Sequence, residues 1–499
     1  MSLWLLIIAK ALVPFLALSG AGLVLLLFAA FLPRQKGVLF FAPTLVAIVG
    51  TFVLAWQAWL SGFPLESGMV LSDKIAYAFD LVFLIATFLA LLLSRETEEG
   101  SRQGGEYYVL ILFATAGMIL MAHSGDLLLL FIALEIMSIA AYILAGYSRT
   151  LKSSESSMKY FILGAFASGF LLYGIALIYG ATGTTDFRMI AEGVNPSQGT
   201  SPDPWLIRLG IALLLIGLGF KVAAVPFHFW TPDVYEGAPT PITALMASGV
   251  KAAGFIGLVR LAIAFAPYPQ IPWTTVISAL AILTMTVGNL VALKQSNIKR
   301  MLAYSSIAHA GYALVGLAAC LNNGLIREEA LASVFFYMVA YSLMTIGAFA
   351  VVVAVGRKKG DVQSETVEEI GDYAGLSESH PLLAAVMALF MIALTGIPPT
   401  IGFIGKFYLL RAAVESGLIG LVVMAVLNSV VSAFYYLGVV SVIYFRKEQG
   451  CFTQGESVAP ISTPLLIALG LTGVAVAYLG LFPEELFALA RQSFQAAVF

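Results

Sequence analysis

The sequence predicts an all-α polytopic membrane protein of about fourteen transmembrane helices. Three observations carry the prediction: 60% of its 499 residues are hydrophobic, only 11% are charged, and near-continuous apolar runs recur from end to end. Soluble domains carry roughly 25% charged residues, so the composition and a mean hydropathy of +0.95 exclude an ordinary globular fold. Crossing a bilayer takes about 20 apolar residues per helix, and each run is of that order.

Taken in order, the first run, Ala11 to Leu32, has no small-residue cleavage pattern before it and is read as a retained span rather than a signal peptide. Val38 to Leu60, Ile75 to Leu93, Tyr107 to Ala122, Leu127 to Tyr147 and Met158 to Gly180 follow, each bounded by a polar or basic gap. The seventh run, Leu206 to Trp230, holds Lys221 and Pro226. Ile242 to Ala266, Trp273 to Leu293, Met301 to Leu321 and Ala330 to Gly356 come next. The twelfth, Leu382 to Arg411, contains Pro398, Pro399 and Lys406, and Leu418 to Phe445 and Pro464 to Phe482 close the series. Proline removes a backbone donor, so runs seven and twelve are expected to be broken helices, tolerated in lipid only where protein or a water-filled cavity satisfies the freed groups.

Lys and Arg resist translocation. Fifteen of them fall in loops after odd-numbered spans, including Arg34, Lys36, Lys152, Lys159 and Arg300, against five after even-numbered spans. This bias places both termini outside and the odd-to-even loops in the cytoplasm or its organellar equivalent. The expected organisation is an N-terminal three-helix segment (1–100), a five-helix repeat (101–268), a second, inverted five-helix repeat (269–446) and a C-terminal helix (447–499), each repeat with one broken helix.

With 26 basic and 28 acidic residues there is no excess charge to hold a polyanion, which argues against nucleic acid as a partner. Cys320 and Cys451 lie far apart without a Cys-x-x-Cys pattern, and His123, His228, His309 and His380 share no ligand spacing, so no metal or cysteine-held cofactor is expected. No Walker-type or Gly-x-Gly-x-x-Gly loop is present.

The informative residues are charges inside spans. Glu135 lies nine residues into the fifth run, about 13 Å deep in a core about 30 Å thick. Lys221, Lys251 and Lys406 are similarly central to runs seven, eight and twelve, and His309 sits within run ten. Each charge facing lipid unpaired costs about 2.5 to 3.5 kcal/mol, so the four are expected to face protein or water. A buried carboxyl and amine titrate in response to each other, and a row of such groups gives a proton a hopping path. Glu135 with Lys221 is the expected switch, Lys251 and His309 the relay, and Lys406 the end near the opposite half-channel. The competing reading is a static ion-pair girder. His309 and His228 are each also readable as packed histidines. Arg260, Asp80, Lys10 and Arg357 to Lys359 read as interfacial anchors.

The segment Gly219 to Pro241 (GFKVAAVPFHFWTPDVYEGAPTP) closely resembles the N-type subunits of NADH-quinone oxidoreductase, respiratory complex I. So do Phe131 to Ser138, Met158 to Ala165, Lys299 to Tyr312 and Gly396 to Tyr408, and together they span nearly the whole chain. The related L and M types and the multisubunit cation/proton antiporters share the outline. Pro232 to Gly237, the lysine at 406 and the short stretch after run fourteen distinguish the N type. The resemblance implies fourteen helices with two inverted five-helix units. It also implies Glu135 and Lys221 as the carboxylate and lysine of the first half, Lys251 as the connecting lysine and Lys406 as the terminal lysine. It implies no cofactor on this chain, with flavin, iron-sulfur clusters and quinone on partner subunits. The implied neighbours are an antiporter-like M-type subunit, small K/J-type subunits and lipid. The function implied is proton translocation driven by quinone reduction, in a bacterial inner membrane. Thylakoid relatives that take electrons from ferredoxin are similar too. A subunit of a cation/proton antiporter, or an assembly scaffold, are the alternatives.

Overall fold

Inside lipid a backbone has to satisfy its own hydrogen bonds, and the apolar runs do so by becoming helices. The computed structural model describes residues 11–31, 38–61, 65–95, 104–193, 203–266, 272–322, 325–356, 367–446 and 460–495. Lys10, Arg34, Lys36, Arg102, Arg357 to Lys359, Lys447 and Cys451 lie outside the described residues. The helices are α1 (Val13–Phe31), α2 (Val38–Ser61), α3 (Lys74–Ser94), α4 (Glu106–Ala122), α5 (Leu127–Ala145), α6 (Leu151–Thr182) and α7 (Pro204–Val222). Then come the short α8 (Trp230–Gly237), α9 (Thr240–Phe265), α10 (Trp273–Ala292), α11 (Ile298–Cys320), α12 (Glu328–Val355), α13 (Pro381–Thr395), α14 (Ile401–Glu415), α15 (Ile419–Phe445), α16 (Thr463–Leu481) and α17 (Glu484–Phe494).

Every predicted run has its helix. Twelve of those described are long and apolar enough to cross a membrane unaided. The shortfall from fourteen has two causes: α4 has only 17 residues, and run twelve is divided into α13 and α14. Run six starts earlier than its apolar stretch because Thr150 caps the helix, its hydroxyl accepting from the Ser153 amide at 3.1 Å. The extra turns hold Lys152 and Glu155 ahead of the apolar run, and Lys159 follows at its very start.

Burial sorts the spans. α3, α9, α11 and α12 are buried over nearly all their length, whereas α1, α2, α6, α15 and α16 expose most of theirs. The exposed positions are apolar, as at Leu27, Val46 and Phe434, which is the surface a bilayer requires. A β-hairpin, β1 (Leu65–Ser67) with β2 (Val70–Ser72), precedes α3 and marks one end of the bundle.

The expected break in run seven is present. Helix α7 stops at Val222, Ala223 takes a left-handed conformation (φ 60°), and Val225–Pro226 is a cis peptide. Freed backbone groups find side chains: the Val225 amide donates to Thr284 Oγ1 at 3.0 Å, and Trp230 Nε1 donates to the Phe220 carbonyl at 2.9 Å. Run twelve breaks between Thr395 and Ile401, with Gly396 left-handed at φ 89° and a cis Pro398–Pro399 bond.

Candidate functional site: a buried line of amines, tyrosines and a histidine

Helix α5 presents Glu135, Ser138 and Tyr142 on one face, since residues three and seven apart lie above one another on a helix. Ser168 of α6 donates to Glu135 Oε1. The Lys221 ammonium, buried at the end of α7, donates to the Tyr142 hydroxyl at 3.4 Å and lies 4.9 Å and 5.1 Å from the ring centroids of Tyr142 and Tyr160. Tyr160 in turn stacks on Trp230 at 4.4 Å. An ammonium over aromatic faces is stabilised by their negative quadrupoles without a counter-ion. Glu135 and Lys221, the expected switch, are not in hydrogen-bond contact here: Lys221 donates instead to Tyr142, which lies two turns along α5 from Glu135 on the same face. Nor is Glu135 interior to this chain. It is only partly buried, between α5 and α6, because α5 keeps one side exposed.

The second set lies deeper. In α9 a π-helical turn, Met246–Val250, leads into Lys251, whose ammonium donates to the Ser306 carbonyl at 2.6 Å and to the Ser306 hydroxyl. One turn along α11, His309 sits between two tyrosines, with Nδ1 2.6 Å from the Tyr337 hydroxyl and Nε2 3.0 Å from that of Tyr436. Tyr436 is also bonded to Ser305, and Tyr341 connects the ends, its ring 5.0 Å from His309 and 5.8 Å from the Lys251 ammonium. The Lys406 ammonium lies 4.6 Å from the Tyr312 ring and donates to the carbonyls of Leu394 (3.3 Å) and Thr395 (2.8 Å) and to Ser429 Oγ (3.1 Å). Those carbonyls are the unsatisfied C-terminus of α13, where the helix dipole favours a cation. The break in run twelve is thus the feature that solvates Lys406. It depends on Gly396, where a Cβ would stand 3.0 Å from Lys406 Cδ in a backbone conformation that L side chains rarely adopt.

Lys221, Lys251 and Lys406 are all buried, and their hydrogen-bond partners are hydroxyls and carbonyls rather than carboxylates. Along this line Tyr235, Tyr312 and Tyr341 keep buried hydroxyls without a well-formed hydrogen bond among the described residues. Such groups are ordinarily paired with water. The tyrosines were not singled out from sequence. Their signal was an i, i+3 or i, i+4 spacing from another polar-tipped residue inside an apolar run, as in His309 with Tyr312 or Tyr337 with Tyr341.

Two polar clusters sit at the ends of the bundle. At the hairpin end, Asp80 and Arg260 are not the interfacial anchors expected: both are fully buried. Asp80 bonds His123 Nε2 at 2.9 Å, and His123 Nδ1 lies 3.2 Å from the Ser72 hydroxyl. Arg260 forks onto Asp73 at 2.5 and 2.7 Å and caps the α4 carbonyl of Ala122. Ser72 of the hairpin meets His123, and Asp73 just after it pairs with Arg260, partners that depth along the span does not reveal. At the far end, Lys159 and Arg300 each bond Asp233 at 2.7 Å, Arg300 bonds Glu236 at 2.9 Å, and Lys152 bonds Glu236 at 3.1 Å and Glu368 at 2.9 Å. Burial alone raises the Asp233 carboxyl, but hydrogen bonds from Lys159 and Arg300 outweigh it and hold it below the usual carboxylate range. Glu368 is held low in the same way by the charge of Lys299 and the hydrogen bond from Lys152. His228 is buried, its Nδ1 without a hydrogen-bond partner of normal geometry among the described residues.

Residues 124–432 match the family described as NADH:quinone oxidoreductase/Mrp antiporter, TM. The NADH-quinone oxidoreductase subunit N of Trichlorobacter lovleyi is 46% identical over 97% of this chain and 96% of its own. A chain in the structure of respiratory complex I from Thermus thermophilus with bound Aureothin is 34% identical, with a TM-score of 0.80 over 96% of this chain and 99% of that one. A chain of the Mrp complex from Dietzia sp. DQ12-45-1b shares the fold, with a TM-score of 0.81 over 98% and 99% of the two chains, at 20% identity. With identity to subunit N running nearly end to end, the chain belongs to the NADH-quinone oxidoreductase subunit N family.

Proposed function

We propose that this chain is a proton-translocating membrane-arm subunit of an NADH-quinone oxidoreductase, and that Glu135, Lys221, Lys251, His309 and Lys406 form its relay. The observation that carries the reading is the series of polar groups from Lys251 through Ser306, Tyr341, His309 and Tyr436 toward Tyr312 and Lys406 in the bundle's buried centre, joined by hydrogen bonds at Lys251–Ser306 and His309–Tyr436 and by ring contacts at Tyr341 and Tyr312. Protons pass between such groups by hydroxyl rotation and through water. Each transfer changes the charge seen by the next site, so the sites are linked. Tyr142 acts as a switchable link between Glu135 and Lys221: either group can gain or lose the hydroxyl as a partner. Glu135, on the flank, faces a neighbouring subunit and receives the signal that starts the cycle.

In this reading the chain comprises an N-terminal segment (1–100), two inverted units (101–268 and 269–446) and a C-terminal helix, with both termini on the periplasmic side of a bacterial inner membrane. The two helix breaks, one after Lys221 and one before Lys406, support the pairing of the units. Flavin, iron-sulfur clusters and quinone reside on partner subunits, and antiporter-like and small membrane subunits flank the chain. The test is alanine replacement of Lys221 and of Lys406 in the assembled complex. Coupled NADH:quinone reductase activity is expected to fall at least about tenfold, the consequence of about 1.4 kcal/mol on a limiting step, with subunit composition unchanged. Wild-type rates in both variants overturn the reading.

A further inference from the structure

A second site lies outside the relay. A cavity of about 480 Å³ opens sideways between α2, α3, α12 and α16, with Leu486 of α17 closing one end. Its walls are apolar apart from Ser342, and at its mouth Val49, Ile85 and Leu471 are exposed on the lateral, lipid-facing surface. A transmembrane helix is about 10 Å across, so a cavity of this size would admit scarcely more than one turn of a partner helix. A thin, flexible hydrocarbon chain fills it without distortion.

The sequence periodicity places a headgroup site above the cavity. On α3 the lining residues Val82, Ile85 and Leu89 follow Lys74 by 8, 11 and 15 positions, which keeps all four on one helical face. At 1.5 Å per residue the lining begins about 12 Å and ends about 22 Å from Lys74, the depth at which the tail of a lipid lies if its phosphate is at Lys74. On α2 the lining residues Ile48 and Phe52 continue on the same face to Trp56 and Trp59, whose rings stack at 5.4 Å. The Lys74 ammonium lies 5.5 Å from the Trp59 ring and, among the described residues, has no carboxylate within ion-pair distance. A tryptophan beside a cation that has no acidic partner among the described residues is the combination that holds a lipid phosphate at the bilayer interface.

We propose that this groove is a binding site for one anionic phospholipid, its phosphate on Lys74 beside the exposed Trp56 and an acyl chain lying in the cavity. The site is independent of the proton relay, and none of its residues belongs to it.

The test uses the purified complex exchanged into micelles of equal phosphatidylglycerol and phosphatidylcholine, with retained lipid counted by native mass spectrometry. Wild type is expected to keep one more phosphatidylglycerol than Ala475→Trp, in which the indole occupies the cavity. Lys74→Gln is expected to lower the preference for phosphatidylglycerol about fivefold, the worth of one basic residue at an anionic surface. Because Ala475→Trp could disturb packing, wild-type complex is also illuminated with phosphatidylglycerol carrying a diazirine in its acyl chain; labelling is expected at Phe52, Ile85 or Leu471. Equal lipid counts in a well-assembled Ala475→Trp, unchanged preference in Lys74→Gln, or labelling confined to other surfaces overturns the proposal, as does cross-linking of Ala475→Cys to a partner subunit.

Discussion

Lys406 shows how one side chain can be kept inside the bilayer without a counter-ion. Its ammonium is surrounded by two carbonyls from the broken end of α13, the Ser429 hydroxyl and the face of Tyr312. Gly396→Ala is predicted to destabilise this arrangement by about 1 to 2 kcal/mol, the cost of a left-handed L-residue, and to lower coupled activity. Thermal melting of the purified complex beside its reductase rate measures both, and an unchanged pair of values would contradict the geometry. Tyr142→Phe removes one hydroxyl and keeps the ring. If Tyr142 links Glu135 to Lys221, pumping is predicted to fall several-fold while melting is unchanged; a loss of melting temperature with normal pumping would make Tyr142 a packing residue only. The intramembrane lysines were legible because a charge in an apolar run is costly and conspicuous. Their surroundings were not, since a tyrosine in the same run reads as core until its hydroxyl is seen to point at an amine. That Lys221 donates to Tyr142 was not legible either, because spacing along two different helices says nothing about which side chains of one meet the other.

Among the elements, the short helix α8 carries more than its length suggests. Its Asp233 and Glu236 gather Lys152, Lys159 and Arg300 from α6 and α11, so the segment that follows the break in run seven is fastened to the start of α11. From sequence these acids marked the family and the bases marked the cytoplasmic loops; that they are partners required the fold. Because Asp233 and Glu368 titrate lower in the folded chain than in the unfolded one, their contribution to stability is fully present above the unfolded carboxylate value. It is lost as pH falls through the lower folded value, from about pH 4 downward. Asp233→Asn, lacking its share at neutral pH, is predicted to melt lower than wild type at pH 7 and to lose less on acidification. Parallel melting curves for the two proteins from pH 7 to pH 3 would remove α8's ion pairs from the account. Helix positions were legible run by run, but α6 began two turns early because a threonine cap, rather than hydropathy, decides where it starts.

For the molecule as a whole, burial divides the helices into a central group that holds the proposed relay and a peripheral group with exposed apolar faces. Lys251, His309 and Lys406 come from or pack against the central helices α9, α11 and α12, while Glu135 lies on the flank through which another subunit could act. In the proposed mechanism the centre is the conduit and the flank its control point. The most direct measurement is the number of protons delivered per NADH oxidised by the complex in sealed proteoliposomes, comparing wild type with His309→Phe and with Lys251→Met. Loss of protons per NADH in both variants, with subunit composition and residual electron transfer retained, is the predicted result. An unaltered proton count in both would contradict the claim that protons travel along this buried line.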